Sequence, residues 1–306
     1  MAQISIKRPI QYLLSLMIAL ASAQSPQCPN NLAVYNPNLR TACVNGTFFI
    51  VPVDTATVES AVAPYGLVPL PTSDETLFPN GFPAGTYPVL VSIYLDNDIR
   101  MTALQIPTPL LSASIQVPYV DRLGDGETGF LFSVKQYIGG YDGDDVSGYV
   151  PALVSSLGGT TIFVASFVPD DGPYEEISTS PPEYIAQVKD VIVPNPVSGP
   201  GVIEEAIDTD FFTVSTSSYT AHLFHEVISQ PLILTSGLCQ RNPIYFNQTF
   251  TDPIFRNGTV TLYSPGGAFA GVYDDVQGYS ASGEMVGYNA ESCASAAANT
   301  DPNALA

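Results

Sequence analysis

The sequence predicts a mainly β fold, a closed or partly closed antiparallel β-barrel with a few short helices. Three observations carry that expectation. First, seven runs rich in β-branched and aromatic residues recur along the chain, at 47–53, 87–95, 130–137, 160–168, 211–215, 222–228 and 258–263. Second, clusters of Gly, Pro, Asn and Asp separate them, as strands joined by turns require. Third, 27 Pro and 24 Gly leave little room for long helices. With 45% hydrophobic and 10% aromatic residues among 306, the chain has enough apolar surface for a large core.

Taken in order, residues 1–23 read as a secretory signal peptide. Lys7 and Arg8 form a basic start, 12–20 an apolar run too short to span a bilayer, and Ala21-Ser22-Ala23 a cleavage site. Residues 24–290 then form one barrel-like domain, since no linker divides them. Val53-Asp54-Thr55 with Glu59 starts a short helix over 55–63. Further helical pieces are expected at 109–111, 150–156 and 182–186, and long loops at 178–182 and 193–201. Tyr141-Asp142-Gly143-Asp144-Asp145 faintly echoes Tyr273-Asp274-Asp275, and both duplication and chance produce such an echo. Residues 291–306 read as a flexible C-terminal tail.

Three sequons, at Asn45, Asn247 and Asn257, agree with secretion. So do four cysteines, Cys28, Cys43, Cys239 and Cys293, which allow three pairings. Short loops close most easily, which favours Cys28–Cys43 and Cys239–Cys293. No close pair such as C-x-x-C suggests a metal site. Acidic residues number 29 against 9 basic ones, a net charge of −20. That balance argues against nucleic acid and anionic membranes as partners, because both need a basic face.

From Val53 to Pro169 the chain resembles the acetoacetate decarboxylase family. Ala63-Pro64-Tyr65-Gly66-Leu67-Val68-Pro69 is similar to that family's a-L-P-x-G-L-x-P segment. The run beginning Tyr87-Pro88-Val89 follows as a strand. Ala113-Ser114-Ile115-Gln116-Val117-Pro118-Tyr119-Val120 resembles its E-x-x-I-x-V-P-V strand, and Ser147-Gly148-Tyr149-Val150-Pro151-Ala152-Leu153 its W-G-F-P-K-K-L turn. The resemblance implies a closed barrel with the active site inside. It also implies a Schiff-base lysine near Pro151 or Ala152 and an acid near Leu111 or Ser112, and neither is present. Without that amine no imine forms there to act as electron sink. In broad outline the chain is also similar to the secreted fungal hetero-Diels–Alderases of tropolone sesquiterpenoid pathways: signal peptide, sequons, β-rich domain, no standard catalytic motif.

Few residues remain to carry chemistry. Lys135 lies in a strand with Ser133 and Tyr137 on its face, opposite Phe130, Phe132 and Val134. If the first face lines the barrel, Lys135 and Tyr137 become a donor pair in an apolar pocket. The opposite assignment buries two Phe and a Val and leaves Lys135 solvated. His222 and His225 are the only histidines. Their β-rich flanks predict a strand that points them opposite ways, with one in the barrel as a hydrogen-bond donor or general acid. Arg100 reads either as an ion pair with Asp96 or Asp98 or as an oxyanion binder. The acidic loops around Asp125 and Asp142 do not complete a calcium-loop pattern.

The expected function is a cofactor-independent cyclase or pericyclase of hetero-Diels–Alder type. It would join apolar polyketide- or terpene-derived partners in the barrel, with Lys135, Tyr137, His222, His225 and Arg100 as site residues. The alternatives are an acetoacetate decarboxylase-like decarboxylase or lyase, and a non-catalytic extracellular small-molecule-binding protein.

Overall fold

A computed structural model describes residues 28–305, apart from 73, 103, 107, 149, 154–158, 192–202 and 264–268. The expected signal peptide and the loop at 193–201 lie outside the described residues.

Nine long strands make the wall: β1 Arg40–Asp54, β2 Thr86–Met101, β3 Leu110–Asp121, β4 Gly129–Gly140, β5 Phe163–Val168, β6 Pro182–Val191, β7 Ile203–Val214, β8 Ile254–Leu262 and β9 Gly271–Gly287. Each pairs with the next in sequence, and β9 returns to β1, so the ring closes. Closure leaves these strands without an open edge. A ring of strictly alternating directions needs an even number of strands. Nine therefore forces one parallel pair, and β4–β5 supplies it through Tyr137↔Phe163. All other neighbours in the ring are antiparallel. The expected barrel is present, with that one parallel exception.

Strand register fixes the inner face. Phe49 of β1 meets Phe211 of β7 at 5.3 Å between ring centres, although their strands are not neighbours. Contact across the ring is possible only inside it. Alternation from these two puts Val91, Ala113, Ile115, Val188 and Ile207 inside as well. All are buried. The outer face is covered too, because helices and loops pack on it, so Phe48, Ile50 and Tyr279 are buried from the other side.

Among the described residues three helices longer than one turn dock on the wall, besides the single turn at Leu32–Tyr35. α1 (Thr55–Val62) begins where the sequence places it, with the Asp54 carboxylate accepting from the Thr57 N–H at 3.0 Å. α2 (Ala221–Ser229) corrects the expected strand at 222–228. Thr220 caps it, its hydroxyl accepting from the Leu223 N–H. Leu223, Phe224, Val227 and Ile228 then form a buried stripe at helical spacing. Of the β-branched flanks, Thr213 and Val214 belong to β7, whereas Val227 and Ile228 lie within the helix itself. α3 (Cys293–Ala298) and a 3-10 turn at Pro302–Leu305 replace the expected flexible tail. Ala296 and Ala304 are buried, the Tyr245 hydroxyl donates to Asp301, and a disulfide anchors Cys293. Two expected helical pieces are strand instead. Residues 182–186 open β6, with Pro182 at its first position where no ladder donor is needed, and Leu110 opens β3. Residues 150–153 are helical. Tyr273–Tyr279 runs within β9, whereas Asp145–Gly148 is a 3-10 turn, so the echo is not a duplication.

Both expected disulfides are present, Cys28–Cys43 and Cys239–Cys293, with Cα–Cα distances of 5.8 and 4.8 Å. They fit an extracellular protein. Among the described residues no helix is long and apolar enough to cross a membrane.

Candidate functional site

Lys135 and Tyr137 lie on the inner face. Lys135 pairs with Ile115 and Tyr137 with Ala113. A bulge at Val134 breaks the simple alternation and sends Ser133 to the outer side with Gln116. The expected trio therefore reduces to a pair. Across from it stands Asp190 of β6, with Oδ2 3.5 Å from the Lys135 Nζ. The ammonium also lies 3.6 Å from the centre of the Phe163 ring. A cation held against a ring face and a carboxylate at once is well compensated. Phe163 is 36% exposed and the Lys135 side chain 15%, so this group sits at an accessible mouth of the barrel.

Tyr137 completes the site. Tyr137 is 2% exposed and its ring lies 6.3 Å from Phe163, yet among the described residues its hydroxyl has no hydrogen-bond partner. Burial, reinforced by the Asp190 charge, pushes its pKa well above the ordinary tyrosine value. The hydroxyl keeps its proton and can donate it to an acceptor on a bound molecule.

Sequence reasoning missed Arg256. This residue of β8 is 2% exposed inside the barrel. Its Nε donates to the Ser280 hydroxyl at 2.9 Å, Nη1 to Thr213 at 2.5 Å and Nη2 to Tyr174 at 3.3 Å. Its guanidinium carbon lies 4.4 Å from the centre of the Tyr184 ring and 5.5 Å from that of Phe211. Among the described residues no carboxylate lies within ion-pair reach of it. Gly278 makes the space: a Cβ there would stand 2.7 Å from Phe49 and 3.1 Å from the Arg256 Cβ. The signal was readable. Arg256, Gly258, Val260 and Leu262 alternate on one face of β8, and three of the four are apolar or glycine. Tyr184, against Arg256, and Asp190, against Lys135, are six residues apart on β6. That is about 20 Å at ~3.3 Å per residue, so the two cations serve different levels of the barrel.

The other predicted residues are elsewhere. Arg100 is exposed and makes a two-pronged ion pair with Asp98 at 2.8 Å, so it is not an oxyanion binder in the barrel. His222 is exposed on α2, its Nδ1 2.7 Å from the Leu305 carbonyl oxygen. His225 is buried on the outer face of the wall, its Nε2 3.0 Å from the Tyr279 hydroxyl and its ring stacked on Phe246 at 4.9 Å. Neither histidine reaches the barrel interior, because α2 packs outside it. The acidic loop around Asp125 spends its carboxylates on its own turn: Asp121 accepts from Gly124, Asp125 and Gly126 N–H groups, and Asp125 from Glu127 and Thr128. Among the sequons, Asn247 is exposed in a loop, while Asn45 and Asn257 are half-buried in strands paired on both sides.

No family model matches the chain, and no curated protein matches it by sequence. Solved structures of similar shape do exist. One is the enduracididine biosynthesis enzyme MppR, in complex with the condensation product of pyruvate and imidazole 4-carboxaldehyde. It matches with a TM-score of 0.47 and 7% identity over 83% of this chain and 89% of that one. Another is an acetoacetate decarboxylase-like enzyme from Sphingomonas wittichii RW1, at a TM-score of 0.49 and 7% identity, covering 83% of this chain and 93% of that one.

Proposed function

We propose that the protein is a cofactor-independent enzyme that takes an apolar, carbonyl-bearing small molecule at the Lys135–Tyr137 mouth and promotes a cycloaddition of hetero-Diels–Alder type. The carrying observation is the buried Tyr137 hydroxyl, a protonated donor on the inner wall without a partner among the described residues. A buried donor left open is costly unless something else accepts from it. In this reaction the carbonyl of an unsaturated ketone accepts from Tyr137, which lowers the energy of its π system. Lys135 places a positive charge beside the oxygen as electron density shifts toward it. Phe163 offers a flat wall for the conjugated partner. Two σ bonds form, one C–C and one C–O, as three π bonds become one. No atom leaves and no proton moves, so the site needs no general base. Holding both partners in register supplies the rest of the acceleration.

The test uses a conjugated enone of quinone-methide type with an unactivated alkene. The protein should raise the rate of cycloadduct formation and give one enantiomer in excess. Tyr137→Phe should lose about tenfold or more of that rate. A racemic product at the background rate would overturn the proposal.

Lys135 supports a second reading, decarboxylation or lyase chemistry through an imine. Its Nζ lies 3.5 Å from the Asp190 Oδ2, and attack on a ketone would have to break that contact. Borohydride added with a β-keto acid should leave the protein mass unchanged. An adduct on Lys135 would select this second reading instead.

Passage through the secretory pathway belongs to the same proposal. Asn247 is the sequon the fold leaves accessible, so enzymatic deglycosylation should shift the mass of its peptide. A secreted protein with an unmodified Asn247 would remove the glycoprotein part.

A further inference from the structure

Outside the barrel wall, between α2 and the β3–β4 turn, lies a cavity of about 360 Å3. It is separate from the Lys135–Tyr137 mouth. Val68, Leu77, Pro231 and Leu305 supply much of its lining. Its charged lining groups are of one sign. Glu226 and Glu127 line it, and no lysine or arginine does. Ser229 also lines it, is 3% exposed, and its Oγ has no hydrogen-bond partner among the described residues. The cavity thus holds a carboxylate and an open hydroxyl within an apolar shell, and its size suits a small organic ligand.

The local backbone is built around this arrangement. Tyr119 has φ +55, a conformation that a bulky side chain rarely adopts. It sits in the bulge between Val117 and Val120, where the β3–β4 ladder slips. Four bonds hold it there. Its N–H donates to the Gln230 Oε1 at 2.8 Å, and its carbonyl accepts from the Val68 N–H at 2.8 Å and the Tyr87 hydroxyl at 3.1 Å. Its own hydroxyl donates to the Glu226 Oε1 at 2.9 Å. Gly129 permits the close approach, since a Cβ there would stand 3.0 Å from the Tyr119 ring. Strain held by so many contacts is a mark of functional positions. Here its effect is to fix one oxygen of Glu226 and orient the other.

We propose that this cavity binds an organic cation, a protonated amine carried on an apolar body, with the ammonium on Glu226 and Ser229 and the hydrocarbon against Val68, Leu77 and Leu305. A carboxylate in an apolar shell gains most from a cation that arrives with its own hydrocarbon, because the pair is then shielded together. Burial pushes the Glu226 carboxyl above its ordinary value, against the Tyr119 bond and His222, while Asp74 adds to the rise. A bound ammonium would reverse that cost. The chain's net charge of −20 draws cations toward the surface in general.

The experiment is calorimetric titration at neutral pH with cyclohexylmethylamine, cyclohexylmethanol and cyclohexanecarboxylate. The amine should bind about tenfold or more tightly than the alcohol, and the carboxylate weaker still. Glu226→Gln should abolish the preference for the amine over the alcohol. Ser229→Ala should weaken the amine several-fold without lowering the melting temperature, because the Oγ it removes has no hydrogen-bond partner among the described residues. Tyr137→Phe should leave amine binding unchanged, which separates this site from the barrel mouth. Equal affinity for amine and alcohol, or undiminished amine binding by both the Glu226 and Ser229 variants, would overturn the proposal.

Discussion

Lys135 and Asp190 approach to 3.5 Å inside the barrel although β5 runs between their strands. Their side chains are 15% and 12% exposed, so water screens the pair only partly. Removing one partner leaves a mostly buried charge alone. Asp190→Asn should therefore cost about 1–3 kcal/mol in urea unfolding. The double change Lys135→Met with Asp190→Leu should recover most of that loss, because an apolar pair of similar size has nothing to desolvate. If the single and double variants lose the same stability, the ion pair is not what the mouth depends on.

Asp96 gives the fold a pH dependence. It is partly buried on the outer face of β2, one of its oxygens accepting from the Ser112 hydroxyl at 3.0 Å and the other without a partner among the described residues. Burial pushes its pKa up to about 6, against Arg40 and the Ser112 bond. Between pH 4 and 6 the native carboxyl keeps its proton while the unfolded one loses it. Unfolding then releases a proton, so this group's contribution falls as pH rises through that window and levels above it. Two units would be worth about 3 kcal/mol in a fully buried group, and the residual exposure trims this to about 1–2 kcal/mol. Asp96→Asn should flatten the slope and raise stability at neutral pH. An unchanged slope between pH 4 and 6 would assign it to another group.

The strands and both disulfides were legible because their signals are local. Runs such as 47–53 are β-rich in themselves, and the Cys28–Cys43 loop is short. What sequence could not show was which side of each strand faces in. Lys135 had two acceptable assignments, and only the pairing with Ile115 decides between them. The bulge at Val134 is likewise a property of the partner strand. His222 and His225 went astray for a different reason. The stripe of Leu223, Phe224, Val227 and Ile228 reads equally as a short apolar run, and the Thr220 cap was the cue that distinguishes helix from strand. Tyr119 with Glu226 was invisible, because the two are 107 residues apart.

Arg256 tests how the barrel interior is held. Its guanidinium bonds to Ser280, Thr213 and Tyr174 at once and lies beside three aromatic rings. Arg256→Ala would leave a void and strip those hydroxyls of their donor. The expected loss is about 3–5 kcal/mol. Arg256→Met fills much of the space and should lose less, which separates packing from hydrogen bonding. If Met costs as much as Ala, the hydrogen bonds dominate, and if neither costs more than about 1 kcal/mol, the cage is not structural.

The Cys239–Cys293 bond ties α3 to the barrel, and the C-terminal residues beyond it finish one wall of the Glu226 cavity through Ala297, Thr300 and Leu305. Three other contacts hold the same segment: Arg241 with Glu291 at 2.9 Å, Tyr245 with Asp301 at 2.8 Å, and His222 with the Leu305 carbonyl at 2.7 Å. The disulfide closes a separation of 54 residues, against 15 for Cys28–Cys43. On chain entropy alone the longer loop is worth about 4 kcal/mol and the shorter about 3 kcal/mol. Replacing Cys239 and Cys293 together by serine should therefore cost more stability than replacing Cys28 and Cys43. The polar contacts do not depend on the sulfur bridge, so the serine variant should keep its C-terminal segment docked at low denaturant. Hydrogen exchange reads this directly: amides of 293–298 should stay protected in the variant but exchange ahead of the barrel strands as urea is added. Equal protection of α3 and β1 at every urea concentration would mean that the segment unfolds only with the whole barrel, and the disulfide would then be redundant for docking.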